Sequence, residues 1–203
     1  MLTIYDLKPK FQQLLRPITT WLANEGITAN QVTYSAMLLS LAAGILIYVT
    51  DASMLSLLLL PVVLFIRMAL NAIDGMLARE HNMKTVKGAM LNEMTDVMSD
   101  IAIYLPLAVA QNVSPVLLIS FVIIGLLTEM AGVVAQAINN DRRYDGPMGK
   151  SDRAFVMGLL AILLAFDLIS ASWALVYLAL VTLFALITLY NRMSKGIIVS
   201  KES

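Results

Sequence analysis

Residues 54–80 read MLSLLLLPVVLFIRMALNAIDGMLARE. The first thirteen positions carry no charge, and the whole stretch is long enough to cross a hydrocarbon core, which takes about 20 mostly apolar residues. Arg67, Asp74, Arg79 and Glu80 then interrupt its second half. The neighbouring stretch 91–113 repeats the arrangement in reverse, with Asn92, Glu93, Asp96 and Asp100 near its start and an apolar remainder. Two adjacent membrane segments with charged, facing ends is the pattern that organises the rest of the chain.

Working outward, six runs qualify as spans: 32–50, 54–74, 91–113, 115–138, 155–169 and 172–190. The composition agrees, since 59% of the 203 residues are hydrophobic and 14% charged, against about 45–50% and about 25% in soluble domains. Ahead of the first run, Lys8, Lys10 and Arg16 alternate with Phe11, Leu14, Leu15, Ile18, Trp21 and Leu22 at helical spacing. This predicts an amphipathic helix, about residues 2–24, lying in the membrane surface. No small-residue cleavage pattern marks it as a signal peptide. The fold expected is therefore all-α: a bundle of six transmembrane helices preceded by an interfacial helix, in one domain over 1–203.

Basic residues cluster before the first run, in the second and fourth connections and after the last run, and Arg67 alone lies outside these places. The positive-inside rule puts both termini in the cytoplasm, with the chain in the cytoplasmic (inner) membrane. Lys+Arg 14 and Asp+Glu 14 cancel, so nothing draws the chain to the phosphates of nucleic acid. Cysteine is absent, which excludes disulfides and thiolate chemistry.

A charge near the bilayer centre costs at least about 2.5–3.5 kcal/mol and needs a partner, a cavity or a metal. Asn71 and Asp74 are i and i+3, and Asn92 and Asp96 are i and i+4, so each pair shares a helix face. Antiparallel neighbours bring the two faces to one membrane edge. Oxygen donors without His or Cys suit Mg²⁺ or Mn²⁺; the same residues could also be a polar network that only joins two helices. One turn deeper, the spacing sets Arg67 opposite Asp100 as a buried supporting ion pair, with Glu129 a rival partner for Arg67.

Residues 71–96, Asn71-Ala-Ile-Asp74-Gly75-Met-Leu-Ala78-Arg79, eight residues, Gly88, three residues, Asn92, three residues, Asp96, resemble the signature of the CDP-alcohol phosphatidyltransferases, Asp-x-x-Asp-Gly-x-x-Ala-Arg, eight residues, Gly-x-x-x-Asp-x-x-x-Asp. Asn30 and Thr33 resemble the family's Pro-Asn-x-x-Thr segment, with Ala29 in the proline's place. The resemblance implies a membrane enzyme that moves a phosphatidyl group from a CDP-linked lipid such as CDP-diacylglycerol to an alcohol and releases CMP. It implies Asp74, Asp96, Asn71 and Asn92 as metal ligands and Asp96 as general base. Donor binding would fall to Asp74, Gly75, Ala78, Arg79, Gly88, Asn30 and Thr33. Lys150 and Arg153, in a Gly-Lys segment, would take donor or acceptor phosphates, whereas Arg142 and Arg143 read as headgroup contacts. Family members commonly pair as homodimers. Asn71 and Asn92 stand where the signature has aspartates, which removes two negative charges, so an unaided site should hold one divalent cation, or two only weakly, with Glu93 and Glu80 as the carboxylates that could compensate. The competing reading is a relative that has shed catalysis and persists as a lipid-binding or partner-docking protein.

Overall fold

The computed structural model describes residues 4–202, with side chains from residue 9 to residue 197. Residues 2 and 3 of the expected interfacial helix and the side chains of Lys8 and Lys201 lie outside the described residues. Seven α-helices make up the described chain: α1 (Ile4–Asn24), α2 (Ala29–Val49), α3 (Met54–Glu80), α4 (Val86–Tyr104), α5 (Pro115–Asn139), α6 (Lys150–Ala165) and α7 (Ala171–Glu202). A 3-10 turn, Leu105–Val109, follows α4.

Four helices are long and apolar enough to cross a membrane: α2, α3, α5 and Ala171–Ile197 of α7. The third and fifth expected spans do not meet that description. Helix α4 carries Lys87, Glu93, Asp96 and Asp100 within 19 residues, and it ends at Tyr104, before the expected Val113. Pro106, which cannot donate to a helical ladder, lies in the 3-10 turn beyond it. Helix α6 has 16 residues and opens on Lys150, Asp152 and Arg153.

The chain divides into two compact units. The first comprises the residues up to Ala42 together with Val63–Ser99; the second comprises Ala43–Val62 and Asp100 onward.

In the first unit the start of α2 is fixed by reciprocal bonds: Thr28 N–H donates to Gln31 Oε1 at 2.8 Å, and Gln31 N–H donates to Thr28 Oγ1 at 3.3 Å. This capping box satisfies two donors that the helix end would leave bare. Helix α1 divides its surface between two environments. Leu15 joins Ala29, Val32, Ile73, Met76 and Leu77 in a buried cluster flanked by Phe11 and Leu22, while Leu14, Ile18 and Trp21 stay 72%, 49% and 58% exposed. The Phe11 and Phe65 rings meet edge-on at 6.0 Å. Arg16 donates to Glu80 through Nε and Nη2 at 3.1 and 2.9 Å, tying α1 to the end of α3.

In the second unit Gly44 of α2 sits against the Ala102 carbonyl and Pro106, where any Cβ would collide with that backbone. Close approach through a small residue is how helices gain contact in a bilayer, where apolar packing alone offers little preference over lipid. Helix α5 packs along α7, Asn139 Nδ2 donates to the Gly196 carbonyl at 2.6 Å, and Asn140 ends α5 in the left-handed region at φ 57°.

Candidate active-site cleft

The end of α3, the connection after it and the start of α4 enclose a cleft of about 230 Å³ with the first turns of α2. Its walls include Asn30 and Thr33 from α2, Asp74, Gly75, Ala78 and Arg79 from α3, and Gly88 and Asn92 from α4. Asp74 is 5% exposed and accepts a hydrogen bond from Thr33 Oγ1 at 2.9 Å. A hydroxyl aimed at a buried carboxylate satisfies one of its oxygens and fixes its rotamer.

The two motif glycines have separate steric reasons. A Cβ on Gly75 would meet the Arg79 guanidinium at 3.1 Å, so the Arg79 side chain folds back over that bare backbone. A Cβ on Gly88 would lie 2.8 Å from Asn30 Oδ1 and 2.9 Å from Thr85 Oγ1. Gly88 thus lets α4 begin directly against α2. Its N–H donates to Thr85 Oγ1 at 2.9 Å, which caps the helix.

Below the cleft, Arg67 is 3% exposed. Its Nη2 donates to the Asp96 carbonyl at 3.1 Å and lies 4.0 Å from Asp96 Oδ1. Asp96 and Asn71 are not among the cleft's walls. The four expected metal ligands therefore divide: Asp74 and Asn92 face the cleft, while Asn71 and Asp96 lie outside its walls, Asp96 engaged by Arg67.

Among the described residues no three His, Cys, Asp or Glu side chains gather as a metal cluster. The donors present, a buried carboxylate and amide oxygens, are of the kind a hard divalent cation takes.

Lys150 and Arg153 belong to the second unit. Asp152 Oδ2 accepts from Gly149 N–H at 2.9 Å and so caps α6. Arg153 follows, 2% exposed, and its Nη2 contacts Asp100 Oδ2 at 2.9 Å and Glu129 Oε1 at 3.0 Å. Its Nε and Nη1 donate to Asp100 Oδ2 at 3.3 Å and Thr128 Oγ1 at 3.2 Å. Glu129 also receives Arg142 at 3.3 Å and Arg192 at 3.5 Å. Arg143, expected among the headgroup contacts with Arg142, pairs with Asp141 at 2.9 Å and Asp145 at 3.0 Å. Arg142 thus ties the loop to α5, and Arg143 braces the loop locally.

Sequence reasoning did not single out Met83, Lys84, Thr85 or Ala89, all of which line the cleft. The legible signal was Thr85 three residues before Gly88, the spacing of a cap.

The model of the CDP-alcohol phosphatidyltransferase family matches residues 26–195. The chain belongs to this family. It is 45% identical over 201 residues to the inner membrane protein YnbA of Escherichia coli (strain K12), covering 99% of this chain and all of that one. It is 32% identical over 102 residues to the archaetidylinositol phosphate synthase of Pyrococcus horikoshii, covering 50% of this chain and 52% of that one.

The fold is also that of the Mycobacterium tuberculosis phosphatidylinositol phosphate synthase, solved with CDP-DAG bound. That match has a TM-score of 0.74 at 20% identity and covers 91% of this chain and 94% of that one. A second structure of the synthase, with manganese and citrate, gives 0.73 at 20% identity, covering 89% and 87%. Four apolar helices and the inner-membrane relative make this chain an integral membrane protein of the family.

Proposed function

We propose that this chain transfers the substituted phosphate of a CDP-linked lipid to an alcohol and releases CMP. The observation that carries the reading is the cleft, where Asp74, Gly75, Ala78, Arg79, Gly88 and Asn92 of the signature share one space with Asn30 and Thr33. Bare backbone at Gly75 gives a pyrophosphate room to approach once Arg79 moves off it, while Gly88 lets α4 close against Asn30 at the cleft wall. Arg79, exposed and lying over Gly75, can swing onto its oxygens and offset their charge as the bond to CMP breaks.

Asp96, held from beneath by Arg67, takes the proton of the acceptor hydroxyl as its oxygen attacks the lipid phosphorus and CMP departs. Asp74 and Asn92, with Asn71 and Asp96 of the same motif, would hold a Mg²⁺ or Mn²⁺ ion, which would supply charge to offset the diphosphate and polarise the phosphorus. The proposal includes α4 and α6 as spans within a six-span bundle whose termini face the cytoplasm, with α1 in the membrane surface. The exposed Leu14, Ile18 and Trp21 support that place for α1.

The test is CMP release by purified protein given CDP-diacylglycerol, Mg²⁺ or Mn²⁺ and a panel of alcohols. Wild type should release CMP with at least one acceptor, and Asp96→Asn should abolish it. Equal behaviour of the two proteins across the panel refutes the enzyme reading. Asn71 and Asn92 favour a second reading, a relative without turnover, which tight CDP binding with no CMP release would select.

A further inference from the structure

The two carboxylates of the motif lie in different surroundings. Asp74 is in the cleft wall beside Asn92. Asp96, one helical turn beyond Asn92, has Arg67 Nη2 at 3.1 Å from its carbonyl and 4.0 Å from its carboxylate. Arg67 is 3% exposed, so its charge is not screened by bulk water. Asp74, Asp96 and Arg67 together carry one net negative charge; Arg79 and Lys84, also on the cleft wall, are exposed and screened by solvent, and the motif positions that could add negative charge are Asn71 and Asn92.

A first divalent cation already reverses the sign of this group. A second would sit beside a positive site and a guanidinium, with a repulsion between the two ions four times that of unit charges at the same distance.

We infer that the cleft takes one divalent cation per chain and that Arg67 holds the electrostatic place of a second. The inference rests on the metal-assisted reading above and deepens it, because it assigns Arg67 a role in the cation's affinity and not only in packing.

The experiment counts Mn²⁺ bound to the full-length protein in detergent, by equilibrium dialysis and by electron paramagnetic resonance, with and without CDP. One Mn²⁺ per chain with the spectrum of an isolated ion is expected. Two per chain with a spin-coupled spectrum, or none, overturns the inference. Arg67→Gln should tighten Mn²⁺ binding about tenfold by removing a nearby positive charge, and Arg67→Lys should leave it unchanged. Unchanged or weaker binding by a folded Arg67→Gln protein overturns the part given to Arg67.

Should that variant fail to fold, the Asn71→Asp/Asn92→Asp double variant serves instead. Its count should rise to two, and a count of one would show that charge does not set the number. CMP release separates this inference from the proposed function. Turnover with two ions bound sinks the stoichiometry alone, while one ion bound without turnover for any acceptor sinks the enzyme reading alone.

Discussion

Replacing Arg153 by Met removes the most buried guanidinium of the second unit while keeping an unbranched apolar stem of similar reach. Four contacts go with it: two to Asp100 Oδ2, one to Glu129 and one to Thr128. Removing one partner of a buried ion pair costs about 3–5 kcal/mol, because the charge left behind is not solvated. Glu129 retains Arg142 and Arg192, whereas Asp100, 4% exposed, loses both bonds of its pairing with Arg153. The lower end, about 3 kcal/mol, is therefore expected. In a chain of this length each kcal/mol moves the midpoint by about 2–4 °C, so Tm should fall by about 6–12 °C.

The assay is the fraction of protein that stays monodisperse in detergent after heating, measured by size exclusion. Arg153→Lys, which keeps the charge but loses the planar fork, should fall between Met and wild type. Gly125→Ala should also destabilise, since its new Cβ would lie 3.0 Å from Arg153 Cδ. Combined with Arg153→Ala, which removes Cδ, most of that cost should vanish, because the clash needs an atom at that position. A Met variant melting within about 2 °C of wild type would refute the claim that this network braces the unit.

Thr33→Val should leave one oxygen of buried Asp74 without its 2.9 Å donor, costing about 1–3 kcal/mol of stability. CMP release should fall further than the Thr33→Ser variant, and thermal melts beside turnover assays check both. Gly88→Ala should push against Asn30 and Thr85 and weaken CDP binding, measured by isothermal calorimetry, more than it lowers Tm. Asp145 provides a pH prediction. Burial raises its pKa, but the bonds from Lys195 at 2.6 Å and Arg143 at 3.0 Å outweigh that and hold it below the ordinary carboxylate range. A depressed folded pKa stabilises above the unfolded value of about 3.9 and is lost as pH falls through the folded one. Hydrogen-exchange protection in residues 140–149, taken relative to the intrinsic rate at each pH, should match at pH 7 and pH 5 and fall only in stronger acid; a fall already at pH 5 would contradict the clamp.

The cleft was legible in the sequence because its parts lie close along the chain. Asp74, Gly75 and Arg79 occupy successive turns of one helix, and a short connection returns the chain to Gly88 and Asn92, so helical periodicity places them together. The partners of Arg153 were not legible. Asp100, Glu129 and Arg153 come from three helices separated by long connections, and spacing within a helix says nothing about its rotation against a neighbour two elements away. The extent of the third run was misjudged for a local reason. Apolar residues continue through Ala110, but Pro106 lies in a 3-10 turn that follows the helix, and hydropathy does not register a missing donor. Thr33 was expected to meet the donor; its hydrogen bond to Asp74 depends on how two helices dock, which the residue types alone do not fix.

The arginines gathered around Glu129 serve two stages in the life of the chain. With both termini in the cytoplasm, as proposed, Arg142 and Arg192 are basic residues that would resist being carried across while the polypeptide is threaded into the bilayer. Once the helices close, the same side chains become internal cross-links and cease to be displayed to lipid. In the proposed orientation, charges that the finished molecule hides would contribute to insertion, and a substitution there could misdirect it, weaken the assembled protein, or both.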